Sequence, residues 1–541
     1  MNQKAGQCLY AKPATMTPVL PVSQLPEGHL HKIKLGDYEV LLANVKGDVY
    51  AVENKCSHYH LPLDQGALCE HRLRCPFHHA CFDLRTGEQL EAPGMDGLPR
   101  FDVQIVDGQI TVSEEPIAKN GPESLLRDQP TPNATEQNHF TYVVVGGGTS
   151  AAYAVEAIRS QDAEGSILML SREELPPYDR TKVSKAFMQG DDAASSLPLR
   201  DKDFYPKIGV EFRAGAQVKK LDLQTKHISL ADGQDITYDK VLLATGGIPR
   251  KLDVPGADLD GVYTVREAED ALKARRKAAG KARAVIIGGS FIGLETAMSL
   301  GKQGAKVSVV TPEKILFEKV FGEKVGAYIK KLHEEAGVSF ELERKVEKIT
   351  GRDGQVGGVV LDNGDELPAD LVIVGIGVTP ATDYVEGIAF QDDHSVEVDG
   401  HLALHGENAW AAGDIATYPD REGMVRIEHW KVAGQQGRIA GRNMAGVSQP
   451  YQMVPYFWTN QQGTNFRYVG HGTDFDEIVY DGTPGEGGFL AFYVKDRHVQ
   501  ACLGVKRDRD VAAVNELMAL GKMPPIDQLQ GQDWPGLCRS V

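Results

Sequence analysis

Two glycine-rich segments restrict the folds open to this sequence more than any other feature. Gly146 and Gly288, which are 142 residues apart, each open such a segment directly after a run of β-branched residues. A helical pattern and a second apolar strand follow each segment, and strand–helix–strand units of this kind build parallel sheets. Because the interval is too long for a short-period repeat, the sequence predicts two separate α/β folds of the same type.

The first segment fits the pattern G-x-G-x-x-A, with Gly146, Gly148 and Ala151 at its fixed positions. Small residues there let the backbone approach a pyrophosphate at the positively polarised start of the helix. An acid about twenty residues further on is expected to bind the adenosine ribose. Glu173 is the candidate, and the neighbouring Arg172 leaves this contact open.

The second segment contains Gly288, Gly289 and Gly293, with Ser290 in the place of the middle glycine. The serine puts a side chain near the phosphates, so we expect it to weaken binding there. Glu313, after the next strand, is the candidate for the ribose hydroxyls of NADH. Since no arginine cluster suited to the 2′-phosphate of NADPH lies nearby, the sequence favours NADH.

A cysteine–histidine pattern upstream predicts a metal centre. Cys56 and His58 lie in one loop, and Cys75 and His78 follow in a second loop. A mixed-ligand [2Fe–2S] centre needs two cysteines on one iron and two histidines on the other. A Cys₂His₂ zinc site is the alternative, but zinc fingers usually pair cysteine with cysteine along the chain. We expect the flanking histidines at positions 60 and 79 to be exposed loop residues.

Composition and charge narrow the partners. The 541 residues carry a net charge of −17, which disfavours nucleic-acid binding, and seven cysteines are too few for a disulfide scaffold. The sequence contains no run of eighteen apolar residues, so it predicts no membrane-spanning helix. The N-terminal residues lack a signal-peptide pattern. A thiol-rich metal site then favours a reducing compartment, and we expect a cytoplasmic location.

The motifs resemble two known families. Residues 16–112, with the Cys/His pattern in short strands and turns, resemble Rieske domains. Residues 244–250 (ATGGIPR) and 412–414 (AGD) resemble the later FAD signatures of pyridine-nucleotide flavoprotein reductases. This second resemblance implies that Asp414 binds the ribityl chain of FAD. It also places the following residues in the cofactor sites: Thr245, Gly246, Arg250 and, in the loop returning from the nicotinamide domain, Gly377.

The segment PYDRTKVSK at residues 177–185 is similar to the part of these reductases whose lysine reaches the N5 edge of the flavin. The resemblance assigns that role to Lys185 and the family's arginine to Arg180. Relatives usually have two prolines where this chain has Thr181 and Lys182, so the resemblance does not determine the backbone conformation of this segment. Two tryptophans resemble the aromatic wall beside the flavin, namely Trp430 and Trp458.

Nearly the whole chain resembles the Rieske-bearing, apoptosis-inducing-factor-like FAD/NAD(P)H oxidoreductases. The resemblance implies a multidomain protein with a small antiparallel β Rieske domain, an α/β flavoprotein fold that binds FAD and NAD(P), and a C-terminal α+β domain. The expected boundaries are a Rieske domain at 1–113, a linker at 114–138, an FAD-binding domain at 139–257 and 381–449, an NAD(P)-binding domain at 258–380 and a C-terminal reductase domain at 450–541.

The expected chemistry is a redox relay. No cysteine lies between residues 146 and 190, so a protein disulfide beside the flavin cannot carry the electrons. NADH is expected to reduce FAD, with Phe291 as a lid and Glu295 near the nicotinamide, and the electrons then pass through the [2Fe–2S] cluster to an unknown acceptor, a protein or a small molecule. An NADH-responsive binding module with slow turnover is the alternative function. The sequence leaves the oligomeric state open between a monomer and a homodimer.

Overall fold

The computed structural model describes residues 15–126, 138–280, 282–405, 408–421, 423–472 and 474–541. The chain divides into two compact units. The first comprises the described residues up to Ser124 together with Ala512–Leu517 and Asp533–Val541, and the second comprises Leu125–Val511 and Met518–Gln532.

Short antiparallel strands form the N-terminal part of the first unit. They make three sheets, in the orders β1-β11-β10, β2-β3-β4-β9 and β5-β6-β7-β8. The strands are β1 (Met16–Pro21), β2 (Leu30–Leu35), β3 (Tyr38–Val45), β4 (Asp48–Glu53), β5 (Ala67–Cys69), β6 (Arg72–Arg74), β7 (Cys81–Asp83), β8 (Gln89–Glu91), β9 (Arg100–Phe101), β10 (Val103–Val106) and β11 (Gln109–Ser113).

The strand β3 separates two small cores in this unit. Successive side chains of a strand point to opposite faces, so Leu41 and Ala43 pack into one cluster while Val40 and Leu42 pack into another. The first of these clusters includes the buried cysteines 56 and 75. The apolar core therefore lies directly behind the two loops predicted to bind metal.

The helices and the remaining strands follow in chain order. The helices are α1 (Thr149–Gln161), α2 (Ala186–Gln189), α3 (Phe204–Lys207), α4 (Ala268–Lys277), α5 (Phe291–Lys302), α6 (Glu318–Glu335), α7 (Trp430–Met444), α8 (Asp508–Ala519) and α9 (Trp534–Arg539). The strands are β12 (His139–Val145), β13 (Ile167–Leu170), β14 (Val210–Arg213), β15 (Val218–Asp222), β16 (His227–Leu230), β17 (Asp235–Leu243), β18 (Gly247–Pro249), β19 (Val262–Tyr263), β20 (Arg283–Ile287), β21 (Lys306–Thr311), β22 (Ser339–Leu342), β23 (Val346–Arg352), β24 (Gln355–Leu361), β25 (Glu366–Pro368), β26 (Leu371–Val374), β27 (Val378–Pro380), β28 (Val385–Glu386), β29 (Val396–Glu397), β30 (Ala409–Ala411), β31 (Ala416–Asp420), β32 (Gly423–Val425), β33 (Tyr456–Gln461), β34 (Thr464–Gly470), β35 (Glu477–Asp481), β36 (Phe489–Lys495) and β37 (His498–Val505).

Two largely parallel sheets carry the glycine-rich segments of the second unit. In the first sheet, the order β14-β13-β12-β17 is parallel, and β30 also pairs with β17. The second sheet has the order β19-β26-β20-β21-β22 and is parallel throughout. The ligand-binding edge of such a sheet lies at the carboxyl ends of its strands, which is where Gly146 and Gly288 follow β12 and β20.

Close helix packing stabilises the first of these sheets. A Cβ atom at Gly437 of α7 would lie 2.1 Å from the Ser150 carbonyl oxygen of α1, so only glycine fits where these two helices approach each other.

The third sheet, β33-β34-β37-β36-β35, is antiparallel and matches the predicted C-terminal α+β domain. In the described residues, none of the helices combines the length and apolarity needed to cross a membrane.

Candidate functional site

The two predicted ligand loops of the first unit have the same backbone hydrogen bonds. The amide of His60 donates to the Cys56 carbonyl (2.8 Å), and that of His79 donates to the Cys75 carbonyl (3.1 Å). The amides of Cys56 and Cys75 in turn donate to the carbonyls of the residues five positions later, at 2.9 and 2.8 Å. Each loop thus forms a tight turn that leaves its cysteine and its histidine on one short segment.

The structure brings the four predicted ligands together. The Cys56 and Cys75 thiols are buried. The hydrogen bond with Cys75 is the largest cause that raises the pKa of the Cys56 thiol, and burial is the second. The imidazole rings of His58 and His78 have their centroids 4.9 Å apart, with the ring planes at 86°. Two adjacent thiols and two adjacent imidazoles are the donor set that a mixed-ligand [2Fe–2S] cluster requires.

The flanking histidines differ from the expectation in one case. His60 is exposed, as expected, whereas His79 is fully buried. The amide nitrogen of Asn515 lies 2.9 Å from Nδ1 of His79, so this ring is held by a residue from the other end of the sequence. The expectation was wrong for His79 because its cover comes from residues far away in the chain, which local pattern cannot show.

A cavity of about 480 Å³ in the second unit lies at the carboxyl edge of the first parallel sheet. The first glycine-rich segment forms one side, and the 244–248 and 412–414 motifs form another. The predicted residues that line it are Gly146, Gly148, Glu173, Arg180, Thr245, Gly246, Asp414 and Trp430. No cysteine is among the residues that the structure places around this cavity.

The glycine-rich segment provides space for a phosphate group. Gly146 has φ 138°, and a Cβ atom there would lie 2.2 Å from the Ala244 carbonyl oxygen. A Cβ atom at Gly148, in contrast, would meet no atom within 4 Å, so this position faces open space in the cavity wall. Together with the start of α1, this cradle fits the pyrophosphate of FAD.

The predicted ribose acid is held by neighbouring side chains. Glu173 accepts hydrogen bonds from Arg180 (2.6 Å) and from the Tyr178 hydroxyl (2.7 Å). Arg172 points elsewhere and pairs with Glu267. Glu173 therefore lines the cavity with both of its oxygens engaged, and its assignment to the ribose stays a prediction.

A buried ion pair links two predicted catalytic residues. Lys185 Nζ donates to Glu295 Oε2 at 2.9 Å, and Glu295 is 3% exposed. The Ser184 hydroxyl donates to the same oxygen (2.6 Å), and the Thr459 hydroxyl donates to Glu295 Oε1 (2.7 Å). The carboxylate is thus held from three sides, and its position fixes that of the lysine ammonium.

Arg266 is a cavity residue that the sequence did not suggest. Its guanidinium donates to Asp414 Oδ2 at 2.8 Å, and both residues line the cavity. A resemblance based on short motifs overlooks this arginine because it lies outside the matching segments. It holds the Asp414 carboxylate at the cavity wall.

The second glycine-rich segment has the geometry of a second dinucleotide site. Gly288 has φ 108°, and a Cβ atom there would lie 2.4 Å from the Gly375 carbonyl oxygen. Ser290 caps α5, because its hydroxyl accepts a hydrogen bond from the amide of Gly293 (3.1 Å). Glu313 lies beside Gly289, whose added Cβ atom would be 3.1 Å from the Glu313 carboxylate.

Several predicted residues lie outside the large cavity. Arg250 is exposed, and its amide donates to the Gly377 carbonyl (3.0 Å). Phe291 stacks on Phe317, with ring centroids 4.2 Å apart. Trp458 contacts Trp430 edge to face, with centroids 6.3 Å apart. Ala151, inside α1, and Trp458 are not among the cavity-lining residues, and the cofactor roles of all these residues stay predictions.

Comparison with known families assigns the second unit. Residues 140–437, more than half of the chain, match the family described as pyridine nucleotide-disulphide oxidoreductase. The chain belongs to this family. Flanking this pyridine nucleotide-disulphide oxidoreductase region, residues 15–102 match the Rieske [2Fe-2S] domain and residues 456–535 match the reductase C-terminal family.

Similar proteins cover different shares of this chain. Apoptosis-inducing factor 3 of Mus musculus is 33% identical over 511 residues, which cover 93% of this chain and 84% of the relative. Rubredoxin-NAD(+) reductase of Pseudomonas putida is 33% identical over 62% of this chain and 88% of its own. The solved complex of putidaredoxin reductase with putidaredoxin matches with a TM-score of 0.70 and 28% identity, covering 75% of this chain and 99% of that chain.

These matches confirm the predicted fold class, the predicted family and the predicted cofactors. The chain is an NAD(P)H-dependent oxidoreductase with FAD and Rieske [2Fe–2S] centres. The ferredoxin reductase for the CYP199A2 system of Rhodopseudomonas palustris also matches, with a TM-score of 0.68, 28% identity and coverage of 72% of this chain and 96% of that chain. The donor set of the first unit and the cradle of the second fit the two resident cofactors.

Proposed function

We propose that this oxidoreductase takes electrons from NADH and passes them through FAD to its own Rieske cluster, and from there to an acceptor protein or small molecule. The observation that carries the proposal is the cysteine-free lining of the dinucleotide cavity. A disulfide among the described cavity residues cannot accept the electrons, whereas the four buried or half-buried ligands of the first unit supply a one-electron centre.

Residue roles follow from the contacts. The proposed cluster ligands are Cys56, His58, Cys75 and His78. FAD, when bound, would link the two-electron donor NADH to the one-electron cluster. Lys185 is proposed to hold the reacting edge of the flavin.

Three further residues have proposed roles beside the cofactors. The Glu295 carboxylate fixes the ammonium of this lysine. Asp414, held by Arg266, is proposed to bind the ribityl chain of FAD, and Glu313 is proposed to bind the ribose hydroxyls of NADH.

Anaerobic stopped-flow reduction with NADH tests this function. The flavin band should bleach first, and the Rieske absorption and electron paramagnetic resonance signal should follow in a second phase. His78→Ala should remove the second phase and the Rieske signal while FAD content and the first phase remain. A flavin that reduces while the wild-type cluster stays oxidised would refute the relay, and a Rieske signal that survives in His78→Ala would refute the ligand assignment.

A second candidate function rests on Ser290. Its hydroxyl occupies the Gly293 amide, one of the donors that the start of α5 would otherwise offer to a phosphate. This contact favours an NADH-responsive module with slow turnover. Ser290→Gly removes the cap at a cost of only a few tenths of a kcal/mol. In the slow module, the variant should bind NADH more tightly and reduce the flavin faster, and unchanged constants would count against it.

The acceptor and the cellular location stay at the level of prediction. Putidaredoxin reductase is seen in a complex with putidaredoxin. The name of the Pseudomonas putida relative, rubredoxin-NAD(+) reductase, pairs the redox protein rubredoxin with NAD(+). By analogy, we propose a redox protein as acceptor. The thiol-rich metal site supports the proposal of a cytoplasmic location. The NADH-reduced protein is titrated with candidate one-electron acceptors. Loss of the electron paramagnetic resonance signal of the reduced cluster identifies the class of acceptor that oxidises it.

A further inference from the structure

In the first unit, two consecutive residues near the C-terminus reach the second ligand loop, residues 75–80. Asn515 Nδ2 lies 2.9 Å from His79 Nδ1, and Glu516 Oε1 accepts a hydrogen bond from Arg74 Nε at 2.7 Å. All four side chains are fully buried. These contacts join positions 436 and 442 residues apart along the chain, so the loop is held by a segment that no local motif includes.

The guanidinium of Arg74 connects the beginning of this loop to its end. Arg74 directly precedes Cys75, and its Nη1 donates to the carbonyl of His79 at 3.0 Å. His79 directly follows His78, so the contact closes the loop around both proposed ligands. Glu516 and Glu91 fix the guanidinium in turn, because Glu91 accepts from Nη1 and Nη2 at 2.8 and 2.7 Å.

The backbone of His79 has an uncommon conformation. Its φ of 62° lies in the left-handed region, which residues with a side chain adopt less often than glycine. His60 has the same conformation in the first loop, with φ 55°, but it is exposed and outside this contact network. The second loop is therefore held at its closing residue by both a ring contact and a carbonyl contact.

The same cluster does not offer an additional metal site. Ligand atoms of Cys81, Glu91 and Glu516 lie within 4.8 Å of one another. However, Arg72 and Arg74 already bind both carboxylates, with nitrogen–oxygen distances of 2.6 to 2.8 Å. Two positive charges at that point exclude a cation, so the carboxylates serve to orient the arginines.

We propose that Asn515 and Glu516 are positioning residues of the Rieske site, which fix the second ligand loop through the His79 ring and the Arg74 guanidinium. The inference rests on the ligand assignment proposed above. One of the two residues holds the ring of the residue after His78, and the other orients the arginine before Cys75.

Two variants of the full-length, cofactor-loaded protein test the proposal. Asn515→Ala removes the ring contact, and Glu516→Gln keeps the size of the side chain but removes its charge. Val514→Ala is the matched control, because it removes buried methyl groups from the same segment and leaves both polar contacts intact. The measurements are the electron paramagnetic resonance g values of the reduced cluster, its midpoint potential and the hydrogen exchange of the amides of residues 75–80.

Asn515→Ala should change the g values and accelerate exchange in residues 75–80. Glu516→Gln removes a negative charge near the cluster and so favours the reduced form, with an expected upward shift of about tenfold in the equilibrium constant, which is about 59 mV. Val514→Ala should leave all three measurements at the wild-type values. Glu516→Gln preserves the size of the side chain. If Asn515→Ala fails to fold, wild-type g values, potential and exchange in Glu516→Gln alone would overturn the inference.

Two results would overturn the inference. The first is wild-type g values, potential and exchange in both polar variants, and the second is equal changes in Val514→Ala, which would indicate general packing. The wild-type protein and His78→Ala separate this from the ligand assignment. If the wild type has no Rieske signal, or His78→Ala keeps it, the ligand assignment fails and the positioning role fails with it.

Discussion

Replacement of Lys185 by Met should strongly destabilise the second unit. The change removes the cationic partner of Glu295, which is 3% exposed and 2.9 Å from the ammonium. Loss of one partner of a buried ion pair typically costs about 3–5 kcal/mol, because the remaining charge is left in a medium of low polarity. Ser184 and Thr459 still donate to the carboxylate, so we expect the lower end, about 3 kcal/mol.

The four tryptophans of the chain allow this cost to be measured in one unit. Trp534 lies in the first unit, and the other three lie in the second, so a Trp534→Phe background restricts tryptophan fluorescence to the second unit. Urea unfolding followed by that signal then gives the change in the free energy of unfolding. A loss of about 3 kcal/mol corresponds to a factor of more than 100 in the unfolding equilibrium.

Lys182→Met is the matched control for this experiment. Lys182 is three residues away, and its ammonium lies 3.4 Å from the Asp192 carboxylate in a pair that water reaches on both sides. Such surface pairs contribute about 0–1 kcal/mol. If Lys185→Met is no more destabilising than Lys182→Met, the reasoning about the buried Glu295 carboxylate is refuted.

Two further changes test the second unit. Gly148→Val should abolish FAD binding by filling the open cradle, whereas the fold should persist because a Cβ atom there meets no neighbour within 4 Å; full FAD occupancy by absorbance would contradict this. Burial, with a smaller contribution from His471, lowers the pKa of His429 to about 3, so the folded state stays neutral while the unfolded state takes up a proton below its usual value of 6.5. Stability should therefore fall as the pH drops from about 6.5 towards 3, and His429→Asn should flatten that slope in urea titrations; equal slopes would disprove the assignment.

Local pattern was sufficient for the two dinucleotide folds. The sequence predicted strands that the structure places at His139–Val145 and Arg283–Ile287, each followed by a glycine turn and a helix. Periodicity and glycine spacing are properties of neighbouring residues, so they can be read without knowledge of the fold. The same holds for the Cys/His loops, where two short segments contain every proposed ligand.

Contacts between distant residues could not be predicted in this way. Asn515 meets His79 across 436 residues, and Thr459 meets Glu295 across 164 residues. Nothing in the sequence near either partner distinguishes these polar side chains from ordinary surface residues. Their role arises only when the sheet order places the segments side by side, which is why the structure and not the motif identifies them.

The turn that presents Arg180 has a side-chain cap where the family resemblance implies proline. The resemblance leads us to expect prolines at positions 181 and 182, where this sequence has threonine and lysine. Here Asp179 accepts hydrogen bonds from the Thr181 amide (3.0 Å) and from the Thr181 hydroxyl (2.6 Å), and residues 180–182 form a single 3₁₀ turn. Proline would restrict φ but could not donate from its nitrogen. The Asp179 side chain therefore restrains the turn in this chain, and Arg180 reaches Glu173 at the cavity.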